Sequence, residues 1–380
     1  MANQSSSLLI RNGRLFTLKG WTEADIAIVD GTVVGVGKEL TVAPSTRSID
    51  AAGQYIVPRL IDLQVNGAGG MMFSLNRSTV EFRAALETLG AQGVQGILVT
   101  ILSASIEEMQ DAIRIAVEVA ESVQQGACAI LGIHIEGPFI SPEKRGGHAG
   151  GHLRSPNVED MSKLLDAGSG WVKMVTLAPE LPASLEVIAL CQSKGIHVSA
   201  GHTMATCEET ERAVRAGLSG ATHLYNAMPP LSARDPGVAG FALAATGFKV
   251  GIIGDLLHVD PHLLRVAVLC KASSDIYLVT DAVAPLGADG VEFDLYGTRV
   301  SVRDGGCYTE TGVLAGTATP LLGMIQKLVT SGVCSPHQAI EMATTSPARI
   351  VGSLDLVTIR EGLRPRLMLL SEQLDLVELL

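Results

Sequence analysis

The feature that most constrains this chain is a repeating order of short apolar runs and longer helical stretches. From residue 57 onward, runs of strand character alternate with segments of helical periodicity. Strands are expected at 60–65, 96–101, 129–135, 172–177, 197–200, 221–224, 250–254 and 276–280. Eight such strands separated by helices are the number that closes a parallel (β/α)8 barrel. Helix starts carry their own marks. Ser105-Ile-Glu-Glu108 and Thr206-Cys-Glu-Glu209 both fit a capping box. Ala112, Ile113, Ile115, Ala116, Val119 and Ala120 then lay down an apolar helical stripe.

The two ends read differently. Residues 8–57 are short apolar runs punctuated by Asn12-Gly13, Asp30-Gly31 and Gly53, and the tail 354–380 returns to short apolar strands. The expected architecture is α/β: a TIM-like (β/α)8 barrel over 58–353, with a small β-sandwich domain built from both chain ends, 1–57 with 354–380. A hairpin is expected at 292–309 with its turn at Asp304-Gly305-Gly306, and closing helices at 323–331 and 337–344.

A chain of 380 residues with 47% hydrophobic content can bury a large core. Its net charge of -11 disfavours a nucleic-acid partner. The six cysteines show no CxxC spacing and read as buried reduced thiols. The first residues lack a basic stretch followed by an apolar core, and no apolar run reaches membrane-spanning length. A cytoplasmic protein with no membrane partner is expected.

Chemistry in parallel barrels sits at the carboxyl ends of the strands. The run Ile130-Leu-Gly-Ile-His-Ile-Glu136-Gly-Pro-Phe139 ends in a carboxylate where Gly and Pro stop the strand. Burying a carboxylate there is costly unless a cation holds it. His202 and His223 fall near the ends of the fifth and sixth strands. One Glu and two His suit a divalent metal with an open position for water. Gln64, His258 and Asp281 fall towards strand ends as well. Each residue alone has a bland meaning: a hydrogen-bonded structural histidine, or an N-cap for Asp281. Their convergence on one face is what argues for a site. His134 points to the same side as Glu136 and reads as a supporting residue. His197 belongs at the opposite end of the barrel, and His152, His262 and His337 read as surface residues.

Taken together, His134-Ile-Glu136-Gly-Pro, Thr176-Leu-Ala-Pro-Glu180, Ser199-Ala-Gly-His202, Thr222-His-Leu-Tyr-Asn-Ala-Met-Pro229, Leu257-His-Val-Asp260 and Val279-Thr-Asp281-Ala resemble the N-acetylglucosamine-6-phosphate deacetylase family of the amidohydrolase superfamily. The likeness runs from about residue 56 to 352. It implies Glu136, His202 and His223 as metal ligands, Asp281 as the catalytic carboxylate and His148 as the residue that helps polarise the substrate carbonyl. Gly147, Asn226, Ala227, Leu314, Ala315 and Gly316 match sugar contacts. His258 and Arg234 match phosphate contacts, with Arg234 reaching into the neighbouring site of a homodimer. The implied partner is a small sugar phosphate, hydrolysed to acetate and glucosamine 6-phosphate. One divalent ion per subunit is expected; Zn2+ is preferred, with Fe2+, Co2+ and Mn2+ as alternatives.

Three departures modify these expectations. Gln64-Val65-Asn66 stands where many relatives carry His-x-His, and neutral amides are poor ligands for a second ion. Pro58-Arg59 replaces Pro-Gly, so the local turn should differ. The tail from Gly362 diverges, so the last strands of the small domain are expected to be missing or altered. Two competing readings are a barrel acting on a cyclic amide or another N-acyl compound, and a catalytically inactive barrel used for assembly. Arg234 and His258, an anion clamp, argue against the first. Intact Glu136, His202, His223 and Asp281 argue against the second.

Overall fold

The computed structural model describes residues 7–43, 46–75, 78–122, 128–290, 292–295 and 298–380. The N-terminal residues 1–6, read as carrying no leader, lie outside the described residues. Eight parallel strands form the barrel: Leu60–Val65, Val94–Ile101, Ala129–Glu136, Val172–Leu177, His197–Ala200, Gly220–Ala221, Lys249–Ile253 and Ile276–Val279. They neighbour one another in sequence order. Every expected strand is present. The sixth stops at Ala221, so His223 lies beyond it rather than in its last part.

The barrel wall is apolar on both faces because helices cover its outside. Ile106, Met109, Ala112, Ile113, Ala116 and Val119 form the buried stripe of helix Ile106–Glu121. Both capping boxes form, at Ser105 with Glu108 and at Thr206 with Glu209. No helix among the described residues is long and apolar enough to cross a membrane.

The seam between the first and eighth strands is closed by backbone and side-chain hydrogen bonds together. A single bridge joins Val65 to Ala282, and Asp281 N–H donates to Gln64 O at 3.0 Å. Deeper in the wall, Asp62 is 1% exposed and closes the gap. Its carboxylate accepts from Thr280 Oγ1 at 2.6 Å, Gln64 N at 3.1 Å and Thr280 N at 3.2 Å.

Both chain ends share one seven-stranded mixed sheet, ordered Leu376–Leu379, Leu367–Leu370, Tyr55–Pro58, Ser7–Thr17, Gly20–Val29 and Thr32–Gly37, with Arg47–Asp50 beside Ser7–Thr17. The long strand bulges between Ile10 and Gly13, so Arg47–Asp50 pairs with one half and Tyr55–Pro58 with the other. The sheet thereby folds over a small core of its own, with Ile26, Ile56 and Leu369 among its members. The tail strands Leu367–Leu370 and Leu376–Leu379 are present, so of the expectation that they are missing or altered the first alternative is corrected. Arg59 takes part in holding them: its N–H donates to Arg366 O at 2.8 Å and its Nε to Leu367 O at 3.4 Å.

Three further readings are corrected. The insertion is a four-stranded antiparallel sheet, Glu292–Leu295, Thr298–Arg303, Gly306–Thr309 and Leu314–Thr317, not a lone hairpin. Its tight turn is Asp304-Gly305, both left-handed, with Arg303 opposite Gly306. His337 is no surface residue. It is half-buried, stacks on Phe16 at 4.8 Å and meets Thr17 O at 2.8 Å, packing helix Pro336–Ala343 against the small sheet. All six cysteines are free, but only Cys128, Cys191 and Cys307 are buried; Cys207 and Cys334 are half-buried and Cys270 is exposed.

The seam predicts a pH effect. Burial raises the Asp62 carboxyl to about 7, against its hydrogen bonds from Thr280 and Gln64. Its folded pKa exceeds the unfolded one, so the native state binds the extra proton and stability should fall as pH rises from about 4 to about 7. Asp62→Asn mimics the protonated form and should remove that slope in denaturant titrations. Asp62→Ala leaves buried donors unpaired and should cost about 1–3 kcal/mol. An unchanged slope in Asp62→Asn would contradict this account of the seam.

Candidate metal centre and its cavity

The carboxyl ends of the strands open into a cavity of about 730 Å³. Glu136 closes the third strand and is 1% exposed. His202 and His223 each lie two residues past their strand ends. Glu136 Oε1 is 3.3 Å from His202 Nε2 and 3.2 Å from His223 Nε2, and the two Nε2 atoms are 3.0 Å apart. His202 Nδ1 donates to Lys144 O at 2.8 Å, which leaves the Nε2 lone pair facing the triangle. Tetrahedral Zn2+ bonds of about 2.0–2.2 Å require ligand atoms about 3.3–3.5 Å apart. The three donors already stand close to that separation, so the set fits a divalent ion. His148 also brings a ring nitrogen within 4.8 Å of donor atoms of Glu136 and His202. Its Nδ1 accepts from the Ser103 N–H at 3.3 Å, which places the ring proton on Nε2 and leaves no lone pair there for an ion, so Glu136, His202 and His223 are the better ligand set.

Burial alone raises Glu136, but hydrogen bonds and charge from His202 and His223 outweigh it and hold the carboxyl well below the usual range. Asp281 shifts the other way. Burial and the nearby Glu136 charge raise it, against His223, His258 and Asn66. Gln64 Nε2 lies between the two carboxylates, 3.1 Å from both Glu136 oxygens and 3.2 Å from Asp281 Oδ1. An amide thus stands where a second cation would bridge them. Asn66 Nδ2 donates to Asp281 Oδ1 at 2.7 Å and fixes its orientation.

The backbone is strained where these side chains emerge. His202, His223 and Asp281 have φ of 49°, 34° and 51°. Left-handed non-glycine residues cost about 1–3 kcal/mol each and persist only where their surroundings hold them. Gly137, at φ 84°, serves a different need: a Cβ there would stand 2.2 Å from Ser103 Oγ. Its absence lets Ser103 reach His148 Nδ1, with Oγ at 2.8 Å and the backbone N–H at 3.3 Å.

The structure gathers most of the sequence-derived site residues. Glu136, Gly147, His148, His202, His223, Asn226, Ala227, His258, Asp281, Leu314, Ala315 and Gly316 all line the cavity. Arg234 is exposed on the loop at 229–237 and is not among the lining residues. His134 is buried beside Thr176, with Nε2 2.8 Å from Oγ1. His197 sits at the far end of the barrel with Ser219. Sequence reasoning missed Ser103, Arg145 and Asp255. Arg145 lines the cavity. Asp255 Oδ2 is 2.7 Å from His258 Nδ1, and its Oδ1 accepts from the His258 N–H at 3.0 Å. Asp255 could have been found, since it follows the seventh strand as Asp281 follows the eighth.

Residues 55–376 match the amidohydrolase family. The chain belongs to the amidohydrolase family. Among its curated relatives in that family, an N-acetylgalactosamine-6-phosphate deacetylase of Shewanella sp. is 34% identical over 95% of this chain and 92% of its own length. The N-acetylglucosamine-6-phosphate deacetylase of Bos taurus is 35% identical over 80% of this chain and 76% of its own. The crystal structure of N-acetylglucosamine-6-phosphate deacetylase from Pasteurella multocida superposes with a TM-score of 0.90 at 31% identity, covering 97% of each chain.

Burial, then the charge on His202, pushes His148 down to about 3. With Nδ1 accepting from Ser103 N–H, the ring should be neutral and carry its proton on Nε2. Nitrogen-15 shifts of His148 should show that tautomer from pH 5 to 8. An imidazolium at pH 6 would contradict the arrangement.

Proposed function

We propose that the chain hydrolyses the acetamide of N-acetyl-D-glucosamine 6-phosphate, yielding D-glucosamine 6-phosphate and acetate. The observation that carries this reading is the buried Glu136–His202–His223 triangle facing Asp281 and His148 across one cavity. A divalent ion held by the triangle, with Zn2+ preferred, supplies water activation near neutral pH and polarisation of the amide carbonyl. Asp281 takes a proton from the attacking water and passes it to the departing amine nitrogen as the C–N bond breaks. Asn66 and Gln64 keep that carboxylate aimed. His148, anchored at Nδ1, offers Nε2–H to the carbonyl oxygen as charge develops there. Arg145 supplies positive charge for an anionic substrate, against a chain of net charge -11, and His258, oriented by Asp255, lines the same cavity.

A second reading has a specific motive. The Shewanella relative acts on the galactosamine epimer by its name, at 34% identity, and the Bos taurus relative on the glucosamine one at 35%. Identity does not separate the epimers, so both sugar phosphates belong in the assay. Acetate release should require the phosphate, and kcat/KM should be higher for the glucosamine epimer; the reverse order would overturn that preference. Asp281→Asn should lower turnover about a hundred-fold or more while the metal stays bound. The purified protein should hold one divalent ion per chain, and two equivalents at high occupancy would contradict the role given to Gln64.

We further propose a homodimer in which Arg234 reaches the partner's phosphate. The exposed loop around Arg234 supports this, as do Leu263, Val266 and Leu269, exposed at three-residue spacing on helix Pro261–Cys270. Co-expressed Arg234→Ala and Asp281→Asn chains should then complement, since a mixed dimer holds one intact site. About a quarter of wild-type activity should return from equal random mixing. Activity no higher than the average of the two parents, with subunit exchange confirmed, would exclude a contact in trans.

A further inference from the structure

The segment Thr176-Leu-Ala-Pro-Glu180 ends in a carboxylate that the chemistry above does not use. Glu180 is half-buried, outside the cavity lining, on the loop after the fourth strand. Both of its oxygens are engaged by the loop after the fifth. Oε2 accepts from Thr203 Oγ1 at 2.5 Å and Oε1 accepts from Met204 N at 2.6 Å. Thr203 and Met204 are the two residues that follow His202.

His202 needs such support. Its φ of 49° is a left-handed conformation that a histidine does not hold unaided. Outside the triangle, two of its own groups are fixed: Ser141 N–H donates to His202 O at 2.8 Å and Lys144 O takes its Nδ1–H at 2.8 Å. Both partners belong to the loop after the third strand. The direction in which the chain leaves His202 is set by the next residues. Thr203 N–H donates to Ala227 O at 3.0 Å, and Thr203 Oγ1 accepts from Ala205 N at 2.9 Å. Glu180 is the anchor common to Thr203 and Met204. It ties the loop after the fourth strand to the loop after the fifth, and the Thr203–Ala227 bond ties that loop to the one after the sixth, where His202 turns into the triangle.

We propose that Glu180 is a positioning residue that holds His202 in its ligating pose and thereby sets the affinity for the metal ion. This rests on the reading of His202 as a metal ligand. Losing the carboxylate would release the exit of the left-handed turn. The imidazole would then have to be ordered by the ion itself, which weakens binding. Glutamine can preserve the pattern: its Oε1 accepts from Met204 N–H, and its Nε2 donates to a rotated Thr203 hydroxyl.

The test is a Zn2+ dissociation constant for the full-length protein, measured by competition with a chromogenic chelator, beside melting curves of the metal-free forms. His202→Ala serves as the control for the ligand assignment and should lose high-affinity binding. Glu180→Ala should raise the dissociation constant about 10–100-fold, the scale seen when partners of metal ligands are removed. Glu180→Gln should recover most of that loss, and Thr203→Val should show a smaller loss than Glu180→Ala. A dissociation constant within two-fold of wild type in Glu180→Ala, with His202→Ala inactive in binding, would overturn the proposal. So would a lowered metal-free melting temperature with unchanged affinity, since that is a purely structural role. If Glu180→Ala does not fold, Thr203→Val decides, and wild-type affinity in it overturns the proposal. Undiminished binding in His202→Ala would instead overturn the ligand assignment, and this inference with it.

Discussion

A carboxylate buried at the end of a barrel strand is the constraint on which the rest of this site depends. Glu136 is 1% exposed, and an isolated ionised carboxylate in such a place would be neutralised or excluded. The chain answers with three neighbours drawn from three different strand ends: His202, His223 and the Gln64 amide. Each is useful to Glu136 only if the barrel closes. The chemistry therefore inherits the precision of the seam, where Asp62 binds Thr280 and places Asp281 opposite the triangle. The proposed metal site, the proposed general base and barrel closure are thus physically coupled, and damage at the seam should reach the site.

The rim stores strain to achieve this. Three of the residues at its centre adopt left-handed backbone conformations, and each is met by side-chain or backbone partners from a neighbouring loop. Such conformations allow a side chain two positions past a strand to turn back over the barrel mouth. A strand continued for two more residues would instead alternate its side chains and carry every second one into the wall.

Much of this was legible in the sequence because the signals were local. Alternating apolar runs located all eight barrel strands, and capping boxes located two helix starts. The strand-end carboxylates and histidines were also visible, since Gly and Pro mark where strands stop. What was hidden depends on partners distant in sequence. Ser103 lies 45 residues from His148, and its contact depends on the missing Cβ of Gly137. The fourth strand of the insertion, Leu314–Thr317, is stabilised by pairing with Gly306–Thr309 and by a bridge to Ala282, not by a pattern of its own. The tail strands were doubted because the sequence from Gly362 diverges from the family pattern. They pair because Leu367, Leu369 and Leu370 are buried against the strand Tyr55–Pro58. His337 was misjudged because a half-buried aromatic stack between a helix and the small sheet leaves no local trace.

Anomalous diffraction from crystals of the metal-loaded protein, collected at the absorption edge of the bound ion, tests the central claim most directly. The account predicts a single peak within about 2.0–2.2 Å of Glu136 Oε1, His202 Nε2 and His223 Nε2, with Gln64 bound to carboxylates rather than to metal. A peak ligated by His148 in place of His223, or a second peak between Glu136 and Asp281, would contradict it.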